Sequence, residues 1–208
     1  MPIHSETTDM NEVPVQPRAR RSWWPLLVLI LAFGLFAVSR NQPSGDPQDS
    51  VAVGKSAPQL ELVRLSQDPS EMSIEGLPTG KVTLIHLWGT WCGPCTMEYP
   101  HLSEMVQEFE SNENFAFISI SCEAGASETI EGLAQRTRNF LDSIDADTDV
   151  FADPRGMSRQ NVAELLGKPH MYFPTSVLVD QQGTIRGVWE GFSPNGVDQM
   201  KAKIEELL

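Results

Sequence analysis

The residues with the clearest chemical potential are Trp91-Cys92-Gly93-Pro94-Cys95. Two cysteines with two residues between them close a disulfide at almost no loop cost, and thiol exchange opens it again. The thiolate is the reactive form of cysteine. The pattern after the motif predicts a helix over 92–111, so Cys92 stands at a helix N-terminus. Unpaired backbone N–H groups and the helix dipole stabilise negative charge there. Cys92 is therefore the expected nucleophile, with a lowered pKa. Cys95 lies one turn further in, deeper on the same side, and would resolve a mixed disulfide. Gly93 leaves the turn uncrowded, and Pro94 suits a first helical turn because its missing N–H has no partner to lose there. A static disulfide or half of a zinc site would use the same spacing. Zinc would want a second Cys or His pair at ligand spacing, and the chain offers none.

The elements that must position this motif alternate in type. Residues 82–88 are almost continuously apolar and read as a buried central strand leading into the cysteines. Met97, Leu102, Met105, Val106 and Phe109 recur at helical spacing behind them. Further strands are expected at 59–65, 115–121, 149–152, 175–179 and 184–189. Further helices are expected within 127–144, at 158–166 and from Pro194 to Leu208. Asp180-Gln181-Gln182-Gly183 is a hairpin signal between the last two strands. Residues 73–77, with Pro78 and Gly80 behind them, read as turn and connector. The result is an α/β fold, a central mixed sheet flanked by helices.

The chain has 208 residues and a net charge of -13, so it lacks the basic face that nucleic acid requires. Three cysteines are too few for a stapled scaffold. Residues 1–22 read as a disordered cytoplasmic tail; its Pro14-Val15-Gln16-Pro17 has the spacing of an SH3-type ligand but reads as flexible tail. Ser22 to Ser39 carries no charge, and as a helix it would reach roughly 27 Å. Arg18, Arg20 and Arg21 precede it, and Trp23 and Trp24 suit the headgroup level. One transmembrane signal anchor is therefore expected at 23–39, a cleaved signal peptide ending near Ala37-Val38-Ser39 being the competing reading. Residues 40–52 read as a linker and 53–208 as the globular domain, placed outside the cytoplasmic membrane.

Several stretches together resemble one family. They are Val53-Gly54-Lys55-Ser56-Ala57-Pro58, residues 80–88, the Trp91 to Cys95 motif, Glu98-Tyr99-Pro100, Phe173-Pro174-Thr175 with the strand after it, and Gly183-Thr184-Ile185-Arg186. The set resembles the TlpA/ResA/DsbE family of membrane-tethered, thioredoxin-like thiol–disulfide oxidoreductases, over roughly residues 51–208. The resemblance implies a thioredoxin-like fold and a redox-active Cys92–Cys95 disulfide. It implies that Pro174, by itself a strand-start proline, is a cis-proline beside the disulfide that helps to hold the substrate chain. Trp88 and Trp91 match aromatic residues flanking the site, although core packing accounts equally for Trp88. Glu98 matches an acidic position after the motif, with a solvated helix residue as the alternative. Pro100 matches a helix-kinking proline. The implied partners are protein disulfide substrates, apocytochrome c among them, and a membrane electron donor such as a DsbD/CcdA-like protein. No cofactor is implied.

The chain also departs from the pattern. His86 stands two residues before Trp88, where thioredoxins carry a buried acid and many TlpA-like proteins asparagine. It reads either as a proton acceptor near Cys95 or as a buried, neutral, hydrogen-bonded imidazole. Cys122 reads as a free, packed thiol. Asp145, Asp147 and Asp149 start like a calcium loop, but Val150 and Gly156 occupy positions where the loop needs glycine and glutamate, so the segment reads as solvated. His170 and Met171 raise a copper(I) carrier of the Sco type, which shares the fold but usually separates its cysteines by three residues. A redox-inert binding module and a peroxidase complete the alternatives; two intact cysteines argue against the first, and the motif around them against the second.

Overall fold

The computed structural model describes residues 46–65, 73–125 and 127–208. The expected tail (1–22) and anchor (23–39) lie outside the described residues. Among the described residues, no helix is long and apolar enough to cross a membrane. In chain order the elements are β1 (Glu61–Arg64), β2 (Ser73–Glu75), β3 (Val82–Trp88), α1 (Gly93–Gln107), β4 (Phe115–Ser121), α2 (Ile130–Ser143), β5 (Val150–Ala152), α3 (Met157–Leu165), β6 (Thr175–Val179), β7 (Ile185–Glu190) and α4 (Gly196–Leu207).

The strands form one sheet in the order β2-β1-β5-β4-β3-β6-β7. β3, β4 and β5 run parallel, while β6 pairs antiparallel with β3 and β7 antiparallel with β6. The expected mixed sheet is thus present. Every residue of β3 is buried, which explains its nearly continuous apolar run: it is covered on both faces. Ile85 and Leu87 pack toward α3 with Ile118, Ile120 and Val162. Val82 and Leu84 pack toward α1 and α4 with Leu102, Met105, Met200 and Ile204.

Residues 73–77 correct the expectation of a connector. Ser73–Glu75 forms an edge strand, Glu61 to Val63 facing Glu75 to Ser73. Three residues are too few for alternation to register. Residues 46–52, expected within the linker, bond to the domain: Val188 N–H donates to the Pro47 carbonyl at 3.0 Å. The expected hairpin turn is closed by Asp180, whose Oδ1 accepts from the N–H groups of Gln182 and Thr184. Gly183 turns it at φ 78°, a left-handed conformation that favours glycine.

Candidate active site

β3 ends at Trp88 and the chain enters α1 within five residues, which sets the cysteines at the carboxyl end of the parallel strands. Cys92, the first residue of the expected helix, is the N-cap of α1, which begins one residue later at Gly93. Its sulfur accepts from Cys95 N–H at 3.3 Å, and its carbonyl from Thr96 N–H at 3.1 Å. No acidic residue lies in the first turn of α1, so nothing there opposes the helix dipole at the sulfur. The two cysteines form a disulfide with Cα atoms 5.2 Å apart. Cys92 is 6% exposed and Cys95 is fully buried.

Trp91 is the exposed wall of the site, 47% accessible. Its indole N–H donates to the Cys122 carbonyl at 3.0 Å, and its ring meets Phe173 edge-on at 5.2 Å. Gly89 makes room for this: a Cβ there would lie 2.5 Å from the indole nitrogen. Phe173 precedes Pro174 through a cis peptide bond, the geometry that the resemblance implied, and packs against the cluster holding Cys92 and Cys95. Tyr172, beside it, is 65% exposed and carries Lys168 Nζ 5.1 Å above its ring.

Trp88 is wholly buried and belongs to the core. Its indole N–H donates to Ser119 Oγ at 2.9 Å, and the Tyr99 hydroxyl shares that oxygen at 2.8 Å. Burial raises the Tyr99 pKa. α1 continues through Pro100.

Glu98 is not a solvated helix residue; it is 1% exposed. One carboxylate oxygen points to the start of α4, 3.8 Å from where a Cβ on Gly196 would stand, while Oε2 has no hydrogen-bond partner among the described residues. Burial pushes its pKa up to about 7. His86 is fully buried, with Nδ1 2.8 Å from Ser176 Oγ on the neighbouring strand. Burial lowers its pKa to about 3, so the imidazole is neutral at pH 7.

Cys122 is free and buried, and burial pushes its thiol up to about 12. Arg159 beside it is held by Glu123 and by Asp153, which also caps α3 by accepting from Ser158 and Arg159 N–H. The copper(I) arrangement is not assembled: His170 is exposed, Met171 packs against the sheet, and no three His, Cys, Asp or Glu side chains come together to hold a metal among the described residues. The same holds for the aspartates at 145, 147 and 149. Sequence reasoning missed Ser176, Ser119, Tyr99 and Gly89. A serine within each otherwise apolar buried strand was the available signal.

A family model described as the AhpC/TSA family matches residues 53–188. The thiol:disulfide interchange protein DsbE of Pseudomonas aeruginosa is 30% identical over 161 residues, covering 77% of each chain. The thioredoxin-like protein YneN of Bacillus subtilis is 24% identical over 82% of this chain and 91% of its own. The thiol-disulfide oxidoreductase ResA of Oceanobacillus iheyensis is 25% identical over 80% and 78%. Among solved structures, a thioredoxin-family thiol:disulfide interchange protein from Chlorobium tepidum superposes with TM-score 0.56 at 17% identity, covering 79% of this chain and 98% of its own. That likeness supports the thioredoxin-like fold.

Proposed function

The chain belongs to the AhpC/TSA family and is a thiol–disulfide oxidoreductase of the ResA/DsbE type, and we propose that it works as a reductase of protein disulfides outside the cytoplasmic membrane. The observation that carries the chemistry is Cys92 at the N-cap of α1, its sulfur held by Cys95 N–H and flanked by the exposed Trp91. In the dithiol form that N–H and the helix dipole stabilise a Cys92 thiolate. The thiolate attacks a substrate disulfide, and one substrate sulfur leaves and takes a proton. Cys95 then gives up its proton and attacks Cys92, releasing the second substrate thiol and leaving the Cys92–Cys95 disulfide. Two electrons and two protons pass to the substrate.

Trp91, Phe173 and Pro174 form the wall against which the substrate chain lies, and Glu98 and His86 support the thiols from within. The basic flank and the apolar run at 23–39 support tethering by a single anchor with the domain on the far side of the membrane. A membrane electron donor, such as a DsbD/CcdA-like protein, would return the pair to the dithiol. Cytochrome c maturation, or a pathway with the same need for reduced cysteines, is the setting we propose. The direction is tested by acid-quenching growing cells and alkylating free thiols with a mass tag. A reductase is found mainly as dithiol in steady state. A protein held as disulfide in cells with an intact membrane donor would refute the reductase reading.

A further inference from the structure

A buried nitrogen beneath α1 lacks a partner. His86 Nε2 is enclosed and accepts or donates no hydrogen bond among the described residues, although its other nitrogen is bonded to Ser176. Leaving such a group unmatched is costly, so a partner absent from this state is the natural place to look. The imidazole lies on the α1 side of β3, with its ring centroid 5.8 Å from that of Tyr99. Tyr99 stands one helical turn after Cys95, on the same face of α1. Cys95 is fully buried too. In the disulfide its sulfur carries no hydrogen; in the dithiol it gains an S–H shut off from bulk solvent.

Resting on the dithiol cycle proposed above, we infer that His86 is a positioning residue whose Nε2 accepts a hydrogen bond from the Cys95 thiol, directly or through one water, in the reduced enzyme alone. Ser176 Oγ then accepts from Nδ1–H, which fixes the tautomer and leaves the Nε2 lone pair bare. The groups facing the imidazole carry little charge. Ser119 and Ser176 on the flanking strands do not titrate, and α1 contributes Tyr99. Burial keeps the imidazole neutral, so it ends each cycle as it began. When Cys95 attacks Cys92, its proton leaves with the departing substrate sulfur, and Nε2 loses its partner again. His86 therefore favours the dithiol over the disulfide.

The test uses the full-length chain in detergent micelles, with imidazole nitrogens labelled. On reduction with dithiothreitol the His86 Nε2 resonance should move upfield to a hydrogen-bonded position, while Nδ1 keeps its proton. In Cys95→Ala it should stay where the oxidised wild type has it. In Glu98→Gln the redox-dependent movement should persist. An Nε2 resonance at one position in both states overturns the inference. So does a movement abolished by Glu98→Gln, which would make Glu98 the partner. Independently, His86→Leu should shift the equilibrium with glutathione about tenfold toward the disulfide, or about 30 mV more negative for this two-electron couple. Equality within twofold overturns it. Dithiothreitol and glutathione need no native substrate, so these outcomes are separate from a failure of protein-disulfide exchange, which would appear as no mixed disulfide on Cys92.

Discussion

Replacing Glu98 by Gln removes one buried ionisation and should change how stability depends on pH. Glu98 is 1% exposed, and burial raises its pKa from 4.5 to about 7. The folded state thus holds a proton there that the unfolded state has released, between about pH 4.5 and 7. The protonated carboxyl's stability advantage is complete below pH 4.5 and lost as pH rises through 7. One pKa unit is worth about 1.4 kcal/mol, so the full loss is about 3 kcal/mol as an upper figure. His86 works in the opposite sense. Its folded pKa is depressed to about 3, so its contribution is present above 6.5 and lost as pH falls. The two partly cancel in the wild type, which makes the difference between wild type and Glu98→Gln the informative quantity. Both proteins are kept oxidised and unfolded in urea at half-unit steps from pH 4.5 to 8.5. The variant should gain on the wild type steadily up to pH 7 and then level off. With about 1–3 kcal/mol per molar urea, the midpoint gap should widen by up to roughly 1–3 M between pH 4.5 and pH 8. A gap that does not vary with pH would refute the buried, proton-holding Glu98.

Three further outcomes follow from the same geometry. His86→Asn should lose less stability than wild type between pH 6.5 and 4, by roughly 1–3 kcal/mol in acid urea unfolding, because no imidazole must be kept uncharged. Gly89→Ala should drive the Trp91 indole off the Cys122 carbonyl, changing the near-ultraviolet dichroism of the disulfide region and slowing reduction of a protein disulfide about tenfold while a small aromatic disulfide is affected less than threefold. In the reduced protein at pH 8, iodoacetamide should modify Cys92 first and leave Cys122 untouched until denaturant is added, since burial holds that thiol at about 12.

Much of this was legible because the signals are local. The apolar run of β3 reported a strand covered on both faces, and the Cys-x-x-Cys at its end reported the helix start to within a residue. The hairpin at Asp180 and the buried Cys122 were visible for the same reason. β2 was not, because three residues pairing at a sheet edge leave no period. Glu98 was ambiguous because its burial depends on α4, nearly a hundred residues later, closing over it. His86 could be flagged as a departure, but its tie to Ser176 exists only through the β3–β6 register. Trp91 shows the same limit: its partners Cys122 and Phe173 lie far along the chain, and only the folded sheet brings them to it.

The central claim is a division of labour between Cys92 and Cys95, and mixed-disulfide trapping tests it most directly. Cys95→Ser and Cys92→Ser, both reduced, are mixed with a peptide disulfide, quenched in acid and weighed intact. Cys95→Ser should accumulate a stoichiometric adduct that maps to Cys92 and is released by dithiothreitol, while Cys92→Ser should stay unmodified over the same interval. An adduct on Cys95 in Cys92→Ser at a comparable rate, or none on Cys92 in Cys95→Ser, would contradict the account.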